Sequence, residues 1–290
     1  MNFSKLTGLN NLGNTCYLNS GLQLLFKCKL LNQLLLNNEI NNNFLNGYKK
    51  TIEDYYREDV NILGPRIIIN SLCSEYNQFT NFIQADSSEF LVCIFELLEK
   101  NFNLLENKLY TKCNNSNLLE FLFDCKIKSN IRCSITNEIF ERNENDKILS
   151  LPIPNKENIT FMDCLNEYFK EEELIGDNQY YNEKINKKVN ATKKFIITNY
   201  PKYMFFSFKR FTNLVNKLDN DISIDNTYNF DNNEYYLIGF IVHIGSVGGG
   251  HYISCIKENE EWYICNDRNI SKCDNIDKYL KQSYILLFSR

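Results

Sequence analysis

Two stretches far apart in the chain hold residue types suited to nucleophilic chemistry. Near the start, Gly8-Leu9-Asn10-Asn11-Leu12-Gly13-Asn14-Thr15-Cys16-Tyr17 brings a thiol to the end of a glycine- and asparagine-rich turn. Near the end, Gly248-Gly249-Gly250-His251-Tyr252 presents one of only 2 histidines, and Trp262-Tyr263-Ile264-Cys265-Asn266-Asp267 ends on two adjacent polar residues. A cysteine nucleophile, a histidine base and an Asn or Asp that orients the imidazole make a triad for acyl transfer. In such triads the cysteine and histidine often lie far apart in sequence. Spacing alone does not choose between Asn266 and Asp267. The other histidine, His243, follows Ile241-Val242 in an apolar strand pattern and reads as structural.

These groups need elements to hold them. Leu18, Leu22 and Leu25 fall at i, i+4 and i+7, so a helix follows the turn and Cys16 sits at its start, with Thr15 or Asn14 as the expected N-cap. A helix N-terminus carries partial positive charge and unpaired N–H groups, which favour a thiolate and can cradle an oxyanion. Asn11 could add a side-chain donor there. A leucine-rich stretch continues the helical pattern at 30–36, and a further helix is expected over 86–99, where Phe90, Ile94, Leu97 and Leu98 share a face and Asp86 and Glu89 have capping-box spacing. From about residue 118 the pattern turns to strands, beginning with Phe121-Leu122-Phe123, apart from a short helix at 160–170. Tyr203–Phe208, Tyr236–Val242, Tyr252–Lys257, Trp262–Cys265 and Ser283–Phe288 read as strands of an antiparallel sheet, with Gly248-Gly249-Gly250 as a flexible lead into His251. Helices first and strands afterwards give an α+β class.

Composition narrows the setting. The 290 residues are 43% hydrophobic, enough for a substantial core, and show no internal repeat or linker. The formal charge of −4, from 32 basic and 36 acidic residues, does not suit nucleic acid as the main partner. No apolar run of about 18 residues points to a membrane. The 11 cysteines are odd in number and scattered without C-x-x-C, which in a chain with no signal-peptide pattern implies reduced thiols and a cytoplasmic or nuclear location.

The stretch from Gly8 to Ser20 resembles, almost residue for residue, the cysteine box of the ubiquitin-specific proteases, with Leu18 where methionine is common. Gly250-His251-Tyr252 with Trp262–Asp267 is similar to their histidine box. Gln84-Ala85-Asp86-Ser87-Ser88-Glu89-Phe90-Leu91 resembles their Q-x-D-x-x-E-F-L element, Phe208-Lys209-Arg210-Phe211 their L-K-R-F strand, and Tyr284–Phe288 their closing strand. The resemblance implies a papain-like right hand that forms a single catalytic domain over 1–290: a helical thumb (about 1–110), mainly β fingers (about 111–200) and mainly a β-rich palm (about 201–290). It implies a thiol-dependent deubiquitinase in which Cys16 is the nucleophile, His251 the base, Asn266 the orienter with Asp267 as second choice, and Asn11 the oxyanion donor. Asp86 and Glu89 would bind the basic C-terminal tail of ubiquitin. The implied partners are ubiquitin and ubiquitinated proteins, with an activating adaptor docking on the domain itself. A peptidase for another ubiquitin-like modifier and a non-catalytic ubiquitin-binding scaffold are the alternatives.

Two further expectations come with the resemblance. Residues Ser246 to Gly250 could block the tail groove in the free protein. Many relatives hold a finger zinc through two C-x-x-C pairs, but here only Cys133 remains, with Thr136, Asn182 and Ile185 at the other three positions. No metal and no cofactor are therefore expected.

Overall fold

The computed structural model describes residues 3–103, 118–211 and 216–290. The first part carries β1 (Gly8–Leu9), α1 (Cys16–Lys27), α2 (Lys29–Asn37), α3 (Asn43–Tyr55), β2 (Ile62–Leu63), α4 (Arg66–Glu75) and α5 (Ser87–Asn103). The middle runs α6 (Leu118–Phe123), β3 (Cys125–Cys133), β4 (Ile139–Asp146), β5 (Ile148–Leu151), β6 (Ile159–Thr160), α7 (Phe161–Phe169), β7 (Glu172–Leu174), β8 (Tyr180–Asn182), β9 (Lys187–Val189) and β10 (Ala191–Asn199). The last part is β11 (Tyr203–Phe208), β12 (Ile222–Ser223), β13 (Thr227–Phe230), β14 (Asn233–Ser246), β15 (Gly249–Glu258), β16 (Glu261–Asn266), β17 (Asn269–Lys272), α8 (Asp277–Leu280) and β18 (Ser283–Ser289). Helices precede strands, as the apolar periodicities predict.

The large sheet has the order β17-β16-β15-β14-β18-β11-β5, with β13 paired to β14, and the small sheet the order β4-β3-β10-β7. Successive side chains of a strand point to opposite faces. Phe205, Ile241, Ile285 and Leu287 accordingly join the core shared with the helices, while Phe206, Phe240, Leu286 and Phe288 join a second core around Phe161 of α7. With both faces covered, all six residues of β11 are buried. α1 is buried on every side from Cys16 to Phe26, as befits a helix at the centre of a core.

α1 lies against β15 and α5. At one end of the α1–β15 contact the backbone N–H of Tyr252 meets the Cys16 sulfur. At the other, Lys27 Nζ lies 2.5 Å from Glu258 Oε2, and Lys29 Nζ lies 3.3 Å from Oε1. The element carrying the thiol and the strand carrying His251 are thus fixed at both ends.

Three expectations need correction. Phe121-Leu122-Phe123 is the end of helix α6, not strand: Leu119, Leu122 and Phe123 at i, i+3 and i+4 are its buried side. The large sheet is antiparallel except at its edge, where β5 from the middle of the chain lies parallel to β11. Gly249 and Gly250 are not a flexible lead: they pair with Ser246 and Gly245, so β14 and β15 form a hairpin with only two residues at its turn and His251 lies in register with Ile244. The expected thumb–finger boundary near 110–111 lies outside the described residues.

Candidate active site

Local turn chemistry delivers Cys16. Gly13 and Asn14 take positive φ (111° and 52°), which turns the chain sharply into α1. Asn11 Oδ1 accepts from the N–H groups of Gly13 (3.1 Å) and Thr15 (3.0 Å). Thr15 stands at the N-cap position, but its hydroxyl accepts from Leu12 N (2.9 Å) and closes the turn instead of capping the helix. The sulfur takes N–H groups from two elements, those of Tyr17 and Cys16 itself on the first turn of α1 and that of Tyr252 on β15. Burial nevertheless dominates and, with the Asp267 carboxylate nearby, pushes the Cys16 thiol above its ordinary value. At 5% exposure the side chain is almost covered.

The strand pairing brings the other partners to the same place. β16 runs antiparallel to β15 with Cys265 opposite Ser254, and Asn266 ends β16 beside His251. Asn266 Oδ1 lies 2.7 Å from His251 Nε2. With Oδ1 as acceptor, Nε2 carries the proton and Nδ1 keeps its lone pair, the form a general base needs. Among the described residues no hydrogen bond joins Cys16 to the His251 ring; the sulfur takes its β15 contact from the N–H of the next residue, Tyr252.

Asp267 is not bonded to the imidazole. Its Oδ2 accepts from Asn11 Nδ2 (2.9 Å), its Oδ1 from Asn19 Nδ2 (2.8 Å), and its backbone oxygen from Leu9 N (2.9 Å). The approach is close: a Cβ at Gly8 would lie 2.2 Å from Arg268 O. Asp267 therefore holds the turn before Cys16 against the end of β16 and fixes the Asn11 amide, leaving that amide its second N–H. Asn19 was missed in the sequence, where nothing set it apart from Ser20 and Gln23, the other buried polar residues of α1.

Asp86 and Glu89 divide. Asp86 Oδ1 accepts from the N–H groups of Ser88 (2.8 Å) and Glu89 (3.2 Å), capping α5. The phenol of Tyr252 donates to Oδ2 at 2.9 Å, and that of Tyr284 lies 2.9 Å from both oxygens. These bonds tie α5 to β15 and β18 and occupy the Asp86 carboxylate. Glu89 does not complete the capping box. It is exposed, with a 3.5 Å contact from Gln78 Nε2, and faces a cavity of about 520 Å³ that Cys16, Gln84, Asp86, His243, Gly250 and Tyr252 also line. His243 stays neutral there: burial first, and then the Lys217 ammonium, pull it down to about 4. Phe211, at the cavity edge, is positioned by its neighbour Arg210, whose buried guanidinium donates to four backbone oxygens, those of Ser283, Leu218, Asn220 and Lys281.

The finger tip does not suit zinc. Cys133 and Asn182 are both fully buried and adjacent, with Asn182 Nδ2 3.7 Å from the sulfur. The Thr136 hydroxyl and the N–H groups of Thr136 and Ile135 also reach Cys133, and together these donors hold its thiol below its ordinary value. One thiolate amid a threonine, an asparagine and an isoleucine is not a tetrahedral zinc donor set. Among the described residues no three His, Cys, Asp or Glu side chains gather to hold a metal ion.

A thiol on the first turn of a central helix, packed against the strand whose histidine is bonded to an asparagine, is the arrangement of the papain-like class. A family model described as ubiquitin carboxyl-terminal hydrolase matches residues 7–288, and the chain belongs to that family. It is 26% identical over 98% of its length to ubiquitin carboxyl-terminal hydrolase Usp2 of Drosophila melanogaster, and 28% identical, again over 98%, to ubiquitin carboxyl-terminal hydrolase 25 of Arabidopsis thaliana. It spans 35% and 47% of those two relatives. Its fold matches Ubp8 in the SAGA DUB module with Sgf11, Sus1 and Sgf73 bound to ubiquitin aldehyde, with a TM-score of 0.79 and 24% identity over 98% of this chain and 69% of that one.

Proposed function

We propose that this chain is a thiol-dependent deubiquitinase that hydrolyses the isopeptide or peptide bond after the C-terminal glycine of ubiquitin. The observation that carries the reading is the 2.7 Å His251–Asn266 contact between the two strands that pack against the helix of Cys16. His251 takes the proton of Cys16, and the sulfur attacks the carbonyl carbon of the terminal glycine. The negative oxygen that forms is stabilised by the free N–H of Asn11 and by first-turn N–H groups of α1. Collapse breaks the C–N bond; the amine leaves with the proton from His251, and a thioester remains on Cys16. Water, losing a proton to His251, then cleaves the thioester and frees the carboxylate and the thiol. Asn266 orients the imidazole throughout, and Asp267 acts through Asn11. The resting thiol is protonated, so catalysis begins with the imidazole closing on the sulfur.

Glu89, exposed at the cavity, is the carboxylate available to a basic tail, whereas Asp86 shapes the wall. Ubiquitin and its conjugates are then the partners, and an adaptor on the domain fits the company that Ubp8 keeps in its module. The reduced thiols suit work in the cytosol or nucleus.

The test is hydrolysis of ubiquitin bearing a fluorogenic amide at its C-terminus, run beside Cys16→Ala. Release by the parent and none by the variant, with ubiquitin still bound, is the expected result. Binding without turnover in the parent would leave a scaffold, and no binding would turn the search to other modifiers.

A further inference from the structure

The last residues of β14 lack a neighbour on one side. β18 starts at Ser283, opposite Val242, so from His243 to Ser246 the strand pairs with β15 and, among the described residues, with no strand on its other edge. A free strand edge leaves carbonyl oxygens in need of donors. Here a side chain supplies them: Lys217 Nζ donates to His243 O at 2.9 Å and to Gly245 O at 3.3 Å. These oxygens are two residues apart and so point to the same edge, that of the missing strand. The Lys217 side chain is only 11% exposed, whereas Asp219, a carboxylate 3.2 Å from its ammonium, is 70% exposed. The backbone around Lys217 is held too. Lys217 forms an antiparallel bridge with Phe211, Leu218 N donates to Arg210 O (2.7 Å), and the Arg210 guanidinium donates to Leu218 O (2.9 Å).

We infer that Lys217 is a positioning residue for catalysis: its ammonium replaces the missing strand at the end of β14 and so sets where β15 presents His251. This rests on the reading of His251 as the base. Within the hairpin, His251 lies opposite Ile244, between the two residues whose oxygens Lys217 holds. The His243 ring also packs against the residue before His251, since a Cβ on Gly250 would come within 2.1 Å of it. A displacement of β14 therefore passes to the backbone that carries the imidazole. Asn266 orients the ring from β16, but the distance from the ring to Cys16 depends on where β15 lies. A misplacement of about 1 Å can cost on the order of 10²-fold in rate. An ammonium suits the task, because hydrogen bonds from a charged donor are roughly twice as strong as neutral ones.

The experiment reads a task of His251 that a loss of folded protein or of ubiquitin binding would not single out. An amine leaves with a proton from His251, whereas a thiolate leaves without one. Values of kcat/KM are measured for ubiquitin with a fluorogenic C-terminal amide and for ubiquitin with a C-terminal thioester of a small thiol. The amide-to-thioester ratio is compared in the parent, Lys217→Met, Lys217→Arg and Asp219→Asn. It is expected to fall about tenfold in Lys217→Met. Lys217→Arg should recover most of it, since a guanidinium can reach both oxygens and has room in the adjoining cavity of about 410 Å³. Asp219→Asn, which leaves the ammonium on the carbonyls, should hold it. A ratio that holds in Lys217→Met, whether both rates persist or both drop together, overturns the inference. So does a fall in Lys217→Arg or Asp219→Asn as deep as in Lys217→Met. Should Lys217→Met not fold, Lys217→Gln takes its place, with a smaller fall expected and an unchanged ratio equally fatal. No cysteine-dependent turnover of either substrate by the parent would instead overturn the assignment of Cys16, a different result from an unchanged ratio.

Discussion

At the scale of the residue, the site depends on which neighbour each polar group chooses. Cys16 takes N–H groups and no imidazole, and its burial outweighs those donors, so its thiol sits above the ordinary value. The sign follows directly: raising the pKa lowers the thiolate fraction at neutral pH. Alkylation of Cys16 by iodoacetamide, followed by mass spectrometry of the Cys16 peptide, should therefore keep accelerating past pH 9. A plateau below pH 7 would mean a thiolate–imidazolium pair and would refute this picture. Part of this scale was legible: Cys16 and His251 stand out by type and by the turns around them, whereas the choice of Asn266 came only with the family resemblance. Asp267 does not stand out, because an aspartate after a strand looks the same whether it faces an imidazole or an amide. Only the closure of β16 onto the turn at Gly8 and Leu9 decides that.

At the scale of the element, α1 and β15 act as two rails. Lys27 and Glu258 are charged, nearly buried and bonded to one another at the end remote from Cys16. Burial alone would raise the carboxyl of Glu258, but Lys27 and Lys29 together hold it below its ordinary value. That contribution to stability is complete above the usual carboxylate pKa of about 4.3 and is lost as the pH falls below it. Glu258→Gln leaves Lys27 buried beside a neutral amide, and breaking such a pair costs about 3–5 kcal/mol. Thermal melts at neutral pH should show a clearly lower Tm for Glu258→Gln; an unchanged Tm would mean that water solvates Lys27. The helices were readable because their apolar periods are long. α6 was not: Phe121-Leu122-Phe123 is too short to separate period 3.6 from period 2, and its packing against β11 is a tertiary contact that the local pattern does not show. The parallel edge strand β5 was also hidden, since pairing across 50-odd residues leaves no local mark.

At the scale of the whole molecule, the order of helices, small sheet and large sheet places one cavity where the first part of the chain meets the last. The net charge of −4 gives no strong field, so the proposed recognition of a basic tail would rest on local charge such as Glu89. Glu89→Lys should raise KM for a ubiquitin substrate about fivefold at low salt and less at high salt, since exposed charges are screened. Equal KM values for parent and variant at low salt would remove Glu89 from tail binding. The helix-to-strand order was legible from residue patterns alone; the location of the cavity was not, because it depends on contacts between opposite ends of the chain. The finger tip carries one last consequence. Cys133 is enclosed by donors that the polypeptide itself supplies, from Ile135, Thr136 and Asn182. Closure of that tip is then a unimolecular event, independent of zinc supply during synthesis and indifferent to chelators afterwards.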